Sequence, residues 1–251
     1  MLQERISLVK RFMSIDNAVT PLEKRLEQRA VARYITHLDV VVLVGIVLCF
    51  VSTLIDAVTR WWYVGAVDVF LALYWLAFVV AWKEARTLLG RFMLAGLIAG
   101  ICELFTDASG HYVVHSLIYP VGEWMLWASP IYMPLSWVVI LTHLGYVGWR
   151  LRALAGLWPA MLVCGLWGAI QIPLYEEMAY YGGWWRYTPT HLMLGHTPAY
   201  VLLFEGLIVA CLPLLYDRIE RRSWLQVTVI GIVLGAWMPF AALAAWLLLG
   251  H

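Results

Sequence analysis

Charge is scarce in this 251-residue chain: Asp, Glu, Lys and Arg together make up 13% of it, against about 25% in an average soluble domain. That excludes a disordered segment and a coiled coil, both of which are held in solution by charge. What charge there is balances, 17 Lys and Arg against 16 Asp and Glu, so there is no basic footprint for nucleic acid. Cysteine is also sparse. Cys49, Cys102, Cys164 and Cys211 each sit inside an apolar run and none forms a C-x-x-C pair, which excludes a secreted disulfide scaffold and reads as buried thiols. No H-E-x-x-H and no paired E-x-x-H occurs, so no zinc or di-iron signature is matched. The first 37 residues lack a continuous apolar stretch, and no cleavable signal peptide is expected there.

Hydrophobic residues, by contrast, are in excess. They reach 63%, with fifteen Trp and thirteen Tyr, and the mean hydropathy is +0.78. Composition of this kind belongs to an all-α polytopic membrane protein. A crossing helix needs about 20 mostly apolar residues, and seven stretches qualify: 39–58, 62–82, 89–107 with a possible extension to 118, 126–147, 154–174, 197–216 and 224–249. Pro130 and Pro134 predict a kink or a late start in the fourth. With seven crossings, fifteen of the 17 Lys and Arg fall on one side and only Arg60 and Arg186 on the other. The positive-inside rule then places the N-terminus in the cytoplasm and the C-terminus outside. Residues 1–37 read as a cytoplasmic amphipathic segment. Ile6, Val9, Phe12 and Met13 oppose Arg5, Lys10 and Arg11 as in an interfacial helix, and Thr20-Pro21-Leu22-Glu23 has the form of a capping box. Residues 38–251 are the transmembrane domain, in a bacterial inner (plasma) membrane.

Ionisable residues inside crossing helices are costly and usually functional. Here they gather toward the outer face: Asp56, Asp68, Glu103, Asp107, Glu176, Glu177 and Glu205 in the spans, with His111, His115, Glu123, Arg186, His191 and His196 in or beside the outer connections. Glu103, Asp107, His111 and His115 follow one another at steps of four, which drift only about 40° per step on a helix. Such a face suits a carboxylate–histidine hydrogen-bond network or, with help from Glu177 or His196, a divalent metal held partly by His111 and His115. A loose internal echo runs alongside. Glu103 is followed by Gly110, Tyr112 and Ser129-Pro130-Ile131-Tyr132; Glu176-Glu177 is followed by Gly182-Gly183, Trp184-Trp185, Tyr187 and Thr197-Pro198-Ala199-Tyr200. A duplicated unit would set the two acids opposite each other. The same aromatics equally suit an interfacial belt.

Glu103-Leu104, Gly110, Pro130-Ile131-Tyr132-Met133-Pro134-Leu135-Ser136-Trp137, Tyr180-Tyr181-Gly182 and Pro198 together resemble the carotenoid biosynthesis membrane proteins that include carotenoid 1,2-hydratases. The likeness covers about residues 103–205, and the series Asp107, His111, His115 is not part of that pattern. Leu194-Gly195-His196-Thr197-Pro198-Ala199-Tyr200 is similar to the last span of the emopamil-binding sterol isomerases, which have fewer spans. Both likenesses imply protonation and deprotonation of an alkene in a greasy substrate.

The leading expectation is therefore an integral membrane enzyme acting by acid–base chemistry on an isoprenoid or other lipid, with no cofactor. Glu103, Asp107, Glu177, His196 and Glu205 are its candidate catalytic groups. Tyr112, Trp124, Tyr132, Trp185 and Tyr200 are candidate substrate contacts. The alternatives are a metal-dependent membrane oxygenase or hydrolase using Asp107, His111, His115 and His196, and a non-enzymatic lipid or pigment binder. The partners expected are a hydrophobic small molecule and membrane lipids, with no nucleic acid.

Overall fold

The computed structural model describes residues 35–60, 63–120, 122 and 124–250. The amphipathic segment and the capping box expected before residue 35, together with Trp62 and Glu123, lie outside the described residues. Among the described residues, seven long helices stand where the seven apolar stretches fall: α1 (His37–Thr59), α2 (Val64–Ala81), α3 (Lys83–Tyr112), α4 (Met133–Ala155), α5 (Leu157–Gly182), α6 (Ala199–Leu215) and α7 (Trp224–Leu249). Five of them, α1, α2, α3, α5 and α7, are long and apolar enough to cross a membrane by length and composition, the mark of a multi-pass membrane protein. The remaining two are α6, an apolar helix of 17 residues, and α4. The latter packs against α1, α2, α3, α5 and α6. A helix that faces protein on most sides has less need of a greasy surface, and α4 buries Thr142 and His143 completely.

Local chemistry sets the helix ends. Thr36 caps α1 in a capping box with Asp39, and Ser223 caps α7 with Gln226 in the same way. The Asp39 carboxylate also receives a bidentate pair from Arg150 at 2.8 and 2.9 Å and the Tyr146 hydroxyl at 2.7 Å, tying the start of α1 to the end of α4. The late start expected for the fourth span is what occurs. Residues 125–130 are spent on a hairpin, and α4 begins only at Met133, with Pro134 in its first turn, where a missing N–H costs nothing.

Six two-residue strands lie in the connections: β1 (Leu117–Ile118), β2 (Met125–Leu126), β3 (Ser129–Pro130), β4 (Arg186–Tyr187), β5 (Met193–Leu194) and β6 (Thr197–Pro198). They extend the internal echo into an architectural repeat. The β2–β3 hairpin pairs Met125 with Pro130 and Leu126 with Ser129; β5–β6 pairs Met193 with Pro198 and Leu194 with Thr197. The first turn residue has positive φ in both, 60° at Trp127 and 60° at Gly195, as a tight hairpin of this hand requires. Gly195 suits that conformation and leaves room for the Glu177 carboxylate, which a Cβ would strike. Trp127 adopts it as a bulky residue, with its ring edge-on to Phe105 at 5.2 Å.

Equivalent positions are 68 residues apart, among them Tyr119 and Tyr187, Ser129 and Thr197, Tyr132 and Tyr200. The helix crossings match as well. Gly100 lets α3 approach Pro134 and Trp137 of α4, and Gly168, 68 residues on, lets α5 approach Glu205 and Val209 of α6. Between the two units β1 and β4 pair antiparallel, Ile118 opposite Arg186 and Leu117 opposite Tyr187. Ile118 and Arg186 are themselves equivalent, so this is the register a two-fold axis through the ladder demands. The repeats α3–α4 and α5–α6 are therefore related by a pseudo-two-fold, and α7 packs on α3 and α6 at one flank.

Candidate functional site

Four carboxyl groups from three helices meet beside the pseudo-axis. Glu103 and Asp107 come from one face of α3, Glu176 from α5 and Glu205 from α6; all are buried, at 3%, 7%, 8% and 7% exposure. They are close enough to feel one another's charge. Glu103 and Asp107 lie one turn apart on the same face of α3, and two carboxyl groups so close in an apolar setting do not both ionise readily. Trp137 packs against α3 at Gly100, about one turn before Glu103.

The loops built on the hairpins supply the remaining partners. Tyr119 donates to Asp107 Oδ2 at 2.6 Å and Ser129 donates to the same oxygen at 2.7 Å. In the second repeat Tyr187 donates to Glu176 Oε1 at 3.3 Å and the Trp185 indole to Oε2 at 2.6 Å. Tyr200 donates to Ser116 at 2.8 Å, fixing α6 to the connection before β1. Burial, together with the neighbouring carboxylates, holds the Tyr119 and Tyr187 phenols well above their ordinary titration range, so both stay hydrogen-bond donors. Among the described residues, Glu103 Oε2, Glu205 Oε2 and Thr197 Oγ1 find no hydrogen-bond partner although they are buried.

Among the residues expected at the site, Glu103, Asp107, Glu205, Trp185 and Tyr200 belong to this network or to its frame. Glu177 and His196 form a pair of their own. The His196 backbone N–H donates to Glu177 Oε1 at 2.5 Å, His196 Nδ1 lies 2.8 Å from Oε2, and the ring stacks on Tyr180 with centroids 3.5 Å apart. One residue along a helix is about 100° of rotation, so Glu177 faces α1 while its neighbour Glu176 faces the acids. The sequence names the acid doublet, and only packing tells its two members apart. Tyr187, Tyr119 and Ser129, which the residue pattern did not single out as site residues, are signalled only by the repeat.

The step-of-four face holds for Glu103, Asp107 and His111 but not for His115. The helix runs on through His111 and ends at Tyr112, and His115 lies beyond it, exposed, at φ 55°. His111 turns Nδ1 to the Leu117 carbonyl at 3.1 Å. Among the described residues no three His, Cys, Asp or Glu side chains group as metal ligands. Tyr112 and Trp124 are 53% and 79% exposed and take no part in the acid network. Tyr132 is buried below the hairpin, edge-on to Tyr63 at 5.3 Å.

No curated protein and no solved structure matches the chain. A family model does, over residues 104–249, which contain both hairpins and three of the four acids. The chain belongs to the family described as Domain of unknown function (DUF6989).

Proposed function

We propose that this protein is a seven-crossing enzyme of the bacterial plasma membrane, N-terminus cytoplasmic and C-terminus outside, that moves protons on and off a hydrophobic alkene, an isoprenoid or a similar lipid. The observation that carries the reading is the convergence of Glu103, Asp107, Glu176 and Glu205 in an otherwise apolar bundle. Membrane proteins avoid intramembrane carboxyls unless these do something, and four exceed what helix packing needs. The lopsided distribution of Lys and Arg supports the orientation.

Glu103 is the acid. It sits one turn from Asp107 on the same buried face, where two adjacent carboxyl groups hold a proton rather than both ionise, and its Oε2 has no protein partner among the described residues. Asp107, held by Tyr119 and Ser129, sets the geometry of that pair. Glu205, also with an unpartnered oxygen, is the base that takes the proton from the substrate. Aromatic faces at Trp137 and Trp185, with the carboxylates around them, stabilise the cation formed when an alkene is protonated. Isomerisation, hydration and cyclisation all begin in this way, and the two resemblances noted in the sequence imply the same chemistry.

The test is proton exchange. Purified protein is incubated in heavy water with lipid extract and isoprenoid alkenes, and the lipids are analysed by mass spectrometry. Deuterium should enter an isoprenoid, and Glu103→Gln should lower the rate about 10²–10⁴-fold with helix content unchanged. Exchange into no lipid, or undiminished exchange in the variant, would overturn the reading.

A further inference from the structure

A groove of about 580 Å³ opens between α1 and α5, away from the acid network. Its walls are apolar, with Phe50 and Leu54 from α1 and Leu174 and Met178 from α5. Its mouth is not: Arg60, at the end of α1, lines it together with Glu177 and Tyr181 of α5. Arg60 is one of two basic residues that fall on the outer side in the proposed topology, and Glu177 is the acid that left the catalytic cluster.

The Arg60 guanidinium is held in place. Its Nε and Nη2 both donate to the Tyr181 carbonyl, at 2.9 and 2.5 Å, which uses two of the five N–H groups an arginine carries. Glu177 is held as firmly by His196, and a carboxylate has lone pairs beyond those two bonds. A fixed cation and a fixed anion thus share one mouth, with a tyrosine ring beside them.

Length matters too. Phe50 lies ten residues before Arg60, about 15 Å at helical rise, and half of a hydrocarbon core about 30 Å thick is the same distance. The α1 side of the groove thus spans about one leaflet.

We propose that this groove is a binding site for one phospholipid whose headgroup carries both a phosphate and an ammonium group. An acyl chain lies along Phe50, Leu54 and Leu174, the phosphate meets Arg60, and the ammonium meets Glu177 and the face of Tyr181. A headgroup with a negative charge alone would use the free N–H groups of Arg60 but offer nothing to the remaining lone pairs of Glu177, and one with no charge would offer no ionic partner to either. This site does not rest on the catalytic reading.

The test is native mass spectrometry of protein released from nanodiscs that contain equal phosphatidylethanolamine, phosphatidylglycerol and diacylglycerol with the same chains. One phosphatidylethanolamine should stay bound, enriched over phosphatidylglycerol by about threefold or more, the size of one partly exposed ion pair. Arg60→Gln and Glu177→Gln should each return the ratio to that of the nanodisc, and Leu54→Trp should fill the groove and remove the retained lipid. Glu103→Gln should keep the enrichment even where it abolishes proton exchange, which separates this site from the acid network. Circular dichroism confirms that each variant folds. Retention that follows the bulk composition, a preference for phosphatidylglycerol or diacylglycerol, or an unchanged ratio in folded Arg60→Gln would overturn the proposal.

Discussion

The two repeats solve one problem with different atoms. Both bring an acid from the last turns of a long helix to a tyrosine at the end of a short strand, Tyr119 just after β1 and Tyr187 the last residue of β4, and both begin the next helix behind a Met-Leu hairpin. In the first repeat the hairpin hydroxyl, Ser129, reaches the acid. In the second that task passes to the Trp185 indole, and the equivalent hydroxyl, Thr197, is buried without a partner. Five residues past the matching tyrosines, the first repeat places Trp137 and the second Glu205. Repeats thus keep the frame and diverge at the positions that face the axis, where one half can supply a donor and the other an acid.

The largest effects should come from the frame. Gly100→Leu drives a side chain into Pro134 and Trp137, and Gly168→Leu into Val209 and the Glu205 carbonyl. Each should lower stability by about 1–3 kcal/mol or more, measured by thermal unfolding in detergent. If one were tolerated, the equivalence of the two crossings would fail. Next is the comparison of acids. Asp107→Ala leaves two donors at 2.6 and 2.7 Å unsatisfied, whereas Glu176→Ala leaves one close donor and one at 3.3 Å. Each stranded buried donor costs about 1–3 kcal/mol, so the first variant should melt at the lower temperature.

The hydroxyls should separate the repeats more finely. Ser129→Ala removes a made bond and should cost about 1 kcal/mol, while Thr197→Val replaces an unpartnered hydroxyl by a methyl group and should be neutral or stabilising. Equal losses in the two would show that Thr197 is bonded after all. The smallest effect is with pH. Tyr119 and Tyr187 titrate higher in the folded chain than their ordinary value because burial and the nearby carboxylates oppose the phenolate. Their contribution is full below about pH 10, the unfolded value, and is lost as pH rises beyond it toward the folded value. Absorbance near 295 nm should show a fraction of the thirteen tyrosines ionising only as the protein unfolds.

Much of this was legible without coordinates. Apolar runs of crossing length are set by composition, and the structure has a long helix at each. The echo of Ser129-Pro130 in Thr197-Pro198 was visible as well, although its extent was not. The hairpins lack the Asn-Gly or Asp-Gly that announces a tight turn, and Trp127 occupies a backbone conformation that its residue type disfavours. The first two acids of the cluster could be placed on one helix face by their spacing alone. Glu205 stood out as an acid inside an apolar helix, but Glu176 could not be chosen, since it and Glu177 are indistinguishable until α1 and the axis are known to lie on different sides of α5.

By itself the amino-acid order determined that the chain is helical, greasy and polar at one end, because crossing length and periodicity are properties of a single segment. Only the folded bundle decided which acids are buried together and which one lines a groove. That choice turns on how helices are rotated against one another, and rotation is set by contacts such as Gly100 on Trp137 and Gly168 on Val209 between residues distant in the chain.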